Sequence, residues 1–264
     1  MKLALGTVQF GLDYGISNTR GQVSSEEVGY ILEYARASGI DTLDTAQAYG
    51  ESQKVLGRFD LSGFKIVSKM TKEGRVEDSL AELGIPRLYA MMLHREDELN
   101  DESFNMLIAA KQQKMVQKIG VSVYSPVKLD QLITGYSLDI VQLPLNLLDQ
   151  RFVPLLPKLK EKGIEIHTRS AFLQGLLLMN ANRIPEYFEP IKPILRRIPE
   201  SKLAMSLNFV KNIDAVDKTV VGVTSKKDLE EVCFEYNKNA EEINYSEFKI
   251  TDEKFLNPSK WELN

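Results

Sequence analysis

The sequence predicts a single-domain α/β protein, a (β/α)8 TIM barrel, on three observations. Apolar strand candidates alternate with amphipathic helical patterns, the arrangement that builds parallel strands joined by right-handed crossovers. Eight such candidates fall at 2–7, 40–44, 64–69, 88–93, 117–122, 138–143, 164–169 and 219–223, enough to close a barrel. Most of them end on one polar residue: Asp44, Lys69, His94, Ser122, Gln142 and Arg169 follow one another in this way. An open doubly wound sheet is the runner-up, but no Gly-x-Gly-x-x-Gly follows the first strand.

The elements follow in order. Met1-Lys-Leu-Ala-Leu-Gly-Thr7 lacks the long apolar stretch of a leader peptide and reads as the first strand. Ser24-Ser25-Glu26-Glu27 offers a cap and an acidic first turn to a helix ending near Ser38-Gly39. A short helix is expected from Tyr49 to Leu56, others over 74–83, 101–114 and 126–133, and one over 154–162 that stops at Gly163. The stretch between strands seven and eight is too long for one crossover. Pro185, Pro190, Pro193 and Pro199 divide it into a loop and two helices, the second over 201–211. Past about Asn239 the alternation stops, and Tyr245, Phe248, Phe255 and Trp261 make the tail (about 239–264) apolar enough to dock near the barrel mouth.

Side-chain parity tests the barrel. If the strand-final polar residues point into the mouth, residues two positions earlier point inward beneath them. Those are Thr42, Val67, Met92, Gly120 and Ile140, all small or apolar except for one hydroxyl, as a filled barrel requires. Strand seven departs, with His167 and then Glu165 beneath Arg169. An interior histidine hydrogen-bonded to Glu165 is the reading adopted, since barrel chemistry gathers at the other end.

Composition narrows the function. The 264 residues carry 43% hydrophobic and 27% charged side chains with a net charge of −4, which gives no general attraction to nucleic acid or to an anionic membrane. One cysteine, Cys233, excludes an internal disulfide and a cysteine-based zinc cage and fits a reducing cytosol. No apolar run approaches the roughly 18 residues of a membrane span, so a cytoplasmic protein is expected.

The chemistry centres on Asp41-Thr-Leu-Asp-Thr-Ala-Gln-Ala-Tyr-Gly-Glu-Ser52. A tyrosine titrates near pH ~10 and needs a neighbouring cation before it exchanges a proton easily; Lys69 at the next strand end is that cation. Gly6-Thr7, Asp44-Thr-Ala-x-x-Tyr-Gly50, Lys69, His94, Gly120-Val-Ser122, Gln142 and Gly175-Leu-Leu177 together resemble the aldo-keto reductase family, in order and over nearly the whole chain. The resemblance implies reduction of an aldehyde or ketone by a nicotinamide cofactor. In it Tyr49 donates the proton, Lys69 stabilises the phenolate, Asp44 holds Lys69, and His94 orients the carbonyl oxygen.

For the cofactor, the resemblance implies that Ser122 and Gln142 meet the nicotinamide amide. Val123 stands where many members carry Asn, and Arg169 stands where a stacking Tyr is usual. A guanidinium there is expected either to weaken NADP⁺ binding relative to NADPH or to turn towards an acidic substrate. Gly222, Thr224 and Ser225 lead from a strand into a helix start, a natural anion site. The stretch resembles the family's adenosine-phosphate site, which implies that Ser225, Lys226 and Lys227 meet a 2′-phosphate and Glu231 the adenine. NADPH is therefore favoured, with NADH as the alternative, although Asp228 and Val232 replace the family's frequent Arg and Asn. The substrate is expected to meet Phe10, Tyr14, Met70, Tyr124, Asn146, Phe172 and Trp261, and a sugar-derived carbonyl is the preferred class. Two rivals stand beside this reading: a catalytically weak NADP(H)-binding regulatory subunit, and a metal-dependent hydrolase or isomerase using Asp44 and His94. The second lacks a His-x-His on strand one and a carboxylate cluster at the other strand ends.

Overall fold

The computed structural model describes residues 1–199, 201–238 and 243–263. Eight parallel strands close into one barrel in sequential order: β1 Leu3–Gly6, β2 Thr42–Asp44, β3 Lys65–Met70, β4 Leu88–Leu93, β5 Val116–Ser122, β6 Ile140–Pro144, β7 Glu165–Arg169 and β8 Lys218–Gly222. The closing seam pairs Leu3 with Thr219 through Gly6 with Gly222. The expected (β/α)8 architecture is present, and strand bounds differ from the sequence reading by a residue or two.

The helices are α1 Val8–Gly11, α2 Ser25–Ala37, α3 Ser52–Leu56, α4 Val76–Leu83, α5 Asp101–Gln112, α6 Pro126–Gly135, α7 Leu156–Glu161, α8 Lys192–Arg197, α9 Lys202–Lys211, α10 Lys226–Asn237 and α11 Glu253–Leu256. Their starts have local causes. Ser24 caps α2, Asn100 and Ser103 form a reciprocal capping box on α5, and Ser125 followed by Pro126 opens α6. α3 begins at Ser52, three residues later than expected. The chain first makes a turn in which Tyr49 N–H donates to the Ala46 carbonyl (3.1 Å) and Ser52 N–H to that of Tyr49 (3.1 Å). Between β7 and β8 the expected loop is three 3-10 turns, at Leu173–Leu178, Ala181–Arg183 and Glu186–Ile191, ahead of α8 and α9. No helix among the described residues is long and apolar enough to cross a membrane.

Asn239, where the tail was expected to begin, lies outside the described residues. From residue 243 the tail runs back over the barrel: Gln150 Nε2 donates to the Tyr245 carbonyl (2.8 Å), and Ile250 N–H to that of Leu148 (3.0 Å). The Trp261 ring packs edge-on against Phe188 at 4.9 Å.

Two apolar layers make the core. The large one lies between the barrel wall and the helices, and a small one of Val67, Ala90, Met92 and Ile140 fills the barrel itself. Val67, Met92 and Ile140 of that layer are among the residues that parity places beneath the mouth. Gly120, also in that parity set, is glycine for a steric reason: a Cβ there would stand 1.8 Å from the Ile140 carbonyl oxygen. Below, the floor is polar. Glu165 accepts from Tyr89 Oη (2.7 Å), contacts His167 Nε2 at 2.6 Å and pairs with Lys118. The interior histidine is thus bonded to Glu165 as the sequence suggested. Burial alone would raise the Glu165 pKa, but the hydrogen bonds from His167, Lys118 and Tyr89 hold it down to about 2.

Two outcomes follow from these contacts. Gly120→Ala should force β5 off β6 and cost about 3 kcal/mol, read as a lower urea midpoint at unchanged slope. Because the folded carboxyl of Glu165 titrates below its unfolded counterpart, its contribution is complete above pH ~4.5 and is lost as pH falls towards 2. Stability measured between pH 6 and pH 3 should therefore decline less steeply in Glu165→Gln than in the parent.

Candidate active site

At the C-terminal ends of the strands the buried Lys69 ammonium meets the buried Asp44 carboxylate, Nζ to Oδ1 2.7 Å. The second Asp44 oxygen accepts from Gln142 Nε2 at 2.7 Å. Strand geometry delivers all three: each is the inward residue at the rim of β2, β3 or β6, two positions above the apolar layer. Tyr49 reaches the same place from the turn after β2. That turn is anchored where Ser52 Oγ donates to the Thr7 carbonyl (2.8 Å) and Thr7 Oγ1 to that of Asp44 (3.0 Å). Lys69 Nζ lies 5.2 Å from the Tyr49 ring centroid, and the His94 ring packs edge-on against Tyr49 at 5.7 Å. The phenol, ammonium, carboxylate and imidazole therefore converge.

Their electrostatics depart from expectation at one point. Burial, and then the Asp44 charge, push the Tyr49 phenol above its usual range, with Arg169 opposing. Lys69 was expected to pull it down. Its charge is balanced by Asp44 at contact distance, and burial lowers the pKa of Lys69 itself against that carboxylate. Tyr49 therefore holds its proton at neutral pH. The His94 imidazole is pulled down to about 4, by burial first and then by the Lys69 and Arg169 cations, so it is neutral with one N–H to donate.

The quartet lines a cavity of about 700 Å³, within the size range of cofactor and ligand sites. Ser122, Gln142, Arg169, Gly222, Thr224 and Glu231 lie on its wall as expected of cofactor contacts, and Tyr14, Tyr124 and Phe172 as expected of substrate contacts. Arg169 lies flat against Tyr124, Cζ 3.9 Å from the ring centroid, and donates to the Val123 carbonyl (3.1 Å) and Ser122 Oγ (3.4 Å). Burial, and the neighbouring Tyr49, push the Tyr14 phenol up to about 12.

Seven expected residues are not on that wall. Phe10 and Met70 are buried in the outer core. Asn146 is buried and structural: its Nδ2 donates to the Ser170 carbonyl (3.0 Å), and its Oδ1 accepts from the N–H groups of Leu148 and Asp149. Trp261 turns onto Phe188 and Phe255, so the tail presents Pro258 and Ser259 to the cavity instead. Ser225 Oγ is used up in capping α10, where it accepts from Asp228 N–H (3.1 Å). Lys226 pairs with Glu230 at 3.4 Å, and Lys227 is exposed beyond the wall.

Other wall residues were not singled out from sequence. Gln9 on α1, and Arg20 and Gln174 from the segments after α1 and β7, lie where strand-end logic has no reach. Their clearest signal is Gly175, whose φ of +90° and close approach to Ser17 Oγ (1.8 Å from a built Cβ) admit no side chain. Ser170, Leu173 and Gln174 are also left-handed, at φ 61°, 48° and 53°, so this loop stores strain beside the cavity. The Gln174 carbonyl accepts from Ile16 N–H (3.1 Å), joining the two loops.

The Aldo/keto reductase family model matches residues 2–254. The chain belongs to the aldo/keto reductase family. Aldo-keto reductase AKR11C1 from Bacillus halodurans, in its holo form, is similar in fold, with a TM-score of 0.76 at 16% identity over 99% of this chain and 94% of that one. The glycerol dehydrogenase AKR11B4 from Gluconobacter oxydans gives a TM-score of 0.70 at 20% identity, over 93% and 88% of the two chains. No curated protein sequence matches the chain. As an aldo-keto reductase the protein is an oxidoreductase of carbonyl compounds, in a family that generally uses NAD(P)H. The wall residues suit such a cofactor. Gln9 and Gln142 both line the cavity and each keeps a buried amide oxygen with no hydrogen-bond partner, acceptors that a carboxamide N–H can satisfy.

Because only His94 and His167 are histidines, their proton NMR signals separate with one variant. The His94 signal should not titrate between pH 8 and pH 5 and should move only near pH 4; a midpoint between 6 and 7 would place His94 outside the buried cationic setting described.

Proposed function

We propose that this aldo-keto reductase reduces an aldehyde or ketone to an alcohol, with Tyr49 as proton donor and a reduced nicotinamide dinucleotide, NADPH or NADH, held in the cavity. The observation that carries the proposal is the convergence of Tyr49, Lys69, Asp44 and His94 on one wall of that cavity. When bound, the dinucleotide supplies the hydride that no side chain can.

The chain's own residues supply the rest. Gln142 and Ser122 are the groups placed to hold the nicotinamide amide. Neutral His94 donates a hydrogen bond to the substrate oxygen and orients it. Tyr49, protonated at rest, delivers its proton to that oxygen as negative charge develops there, and Lys69 stabilises the phenolate that remains. Asp44 fixes the ammonium of Lys69, and Gln142 fixes Asp44. In the reverse direction the phenol has to be ionised before it can accept a proton, so alcohol oxidation should rise with pH while reduction stays level through neutrality.

Tyr14, Tyr124 and Phe172, beside Arg169 and Gln174, give the mouth aromatic faces with polar edges. This lining supports a polyhydroxylated, sugar-derived carbonyl as the substrate class. A single cysteine, Cys233, buried and free, accords with a cytoplasmic setting.

Tyr49→Phe should lower kcat for reduction by about 10²-fold or more while leaving the dissociation constant of the dinucleotide unchanged, measured by loss of reduced-nicotinamide absorbance across aldehydes, ketones and keto-sugars. Full turnover in that variant would remove Tyr49 as the donor.

A further inference from the structure

The dinucleotide reading above leaves open which nucleotide is taken, and this inference rests on that reading. Past Gly6 and Gly222 the cavity leaves the barrel mouth and reaches the first turns of α10, where Thr224, Asp228, Glu231 and Val232 form the wall together with Arg20. The geometry points to Asp228 as the residue that selects NADH over NADPH. With the nicotinamide at the quartet, the adenine ribose is left for the α10 end. NADH brings a 2′-hydroxyl there, and NADPH brings a phosphate of nearly two negative charges.

A helix start ordinarily welcomes phosphate, through free N–H groups and the positive end of the helix dipole. Here three of those groups are already spent inside the chain. Asp228 Oδ2 accepts from Thr224 N–H (3.0 Å) and from Thr224 Oγ1 (2.7 Å). The Asp228 N–H is spent on Ser225 Oγ (3.1 Å), and the Lys226 N–H on Glu27 Oε1 (2.6 Å). Glu231 adds a second acid to the wall.

The cations do not redress this balance. Arg20 Nη1 stands 3.8 Å from Asp228 Oδ2, so its charge is already answered, and Lys226 is paired with Glu230. A 2′-phosphate would have to displace Asp228 and then face both acids. A ribose hydroxyl instead donates to a carboxylate, which is how dinucleotide sites of another fold choose NAD over NADP. The two lysines that favoured NADPH in the sequence lie off the wall, and the preference reverses.

Isothermal titration of the full chain with NADH and with NADPH, with no substrate present, tests this without turnover. The dissociation constant for NADH should be at least ten-fold lower than that for NADPH. Asp228→Asn should tighten NADPH at least five-fold and weaken NADH, whose ribose hydroxyl loses its carboxylate acceptor. Glu231→Gln, which leaves the Thr224 turn intact, should shift NADPH the same way, and thermal melting checks that both variants fold. Lys226→Ala with Lys227→Ala should change neither constant. Equal or tighter NADPH binding by the parent, or NADPH affinity unmoved in both acid variants, overturns the assignment while the reductase reading stands. Failure of both nucleotides to bind would overturn the assignment and the reductase reading together.

Discussion

Everything at the mouth depends on one buried contact, the ion pair between Lys69 and Asp44. Two charges taken out of water are expensive to hold and repay the cost only with close geometry and every remaining lone pair engaged. Here the pair closes at 2.7 Å, and the other Asp44 oxygen takes a hydrogen bond from Gln142. The layer of Val67, Ala90, Met92 and Ile140 beneath excludes water from below. Removing Lys69 or Asp44 leaves the other's charge buried and unmatched.

That pairing also decides the protonation states around it. A bare ammonium beside Tyr49 would draw the phenol's proton away; a neutralised one leaves burial in control, and the phenol stays protonated. Burial first, and then the positive field of Lys69 and Arg169, keeps His94 neutral. The resting site thus holds one proton to give and one N–H to orient, the state that reduction needs.

Charge is divided along the cavity. The cations Lys69 and Arg169 outnumber Asp44 at the barrel mouth, and the acids Asp228 and Glu231 outnumber Arg20 at the α10 end. The loops that set this division are held by structural hydrogen bonds, of which Asn146 to Ser170 and Ser52 to Thr7 are the central ones. Asn146 shows how a polar residue beside a site serves it without touching a ligand.

The barrel and its rim were legible in the sequence because strand periodicity is local. Parity alone identified Thr42, Val67, Met92, Gly120 and Ile140 as inward, and strand ends identified Asp44, Lys69, His94 and Gln142. Placement off the strands was not legible. Phe10, Trp261, Lys226 and Lys227 have the right chemistry and the right neighbourhood in the chain, yet face the core, the tail or solvent. The direction of such a side chain depends on what packs against it, as Phe188 from a distant segment does for Trp261. The sequence by itself determined the fold and the four groups at the rim, since both follow from period-two alternation and residue type. Only the tertiary structure decided that the phenol keeps its proton and that acids occupy the α10 end, because burial and charge balance are properties of neighbours and not of positions in the chain.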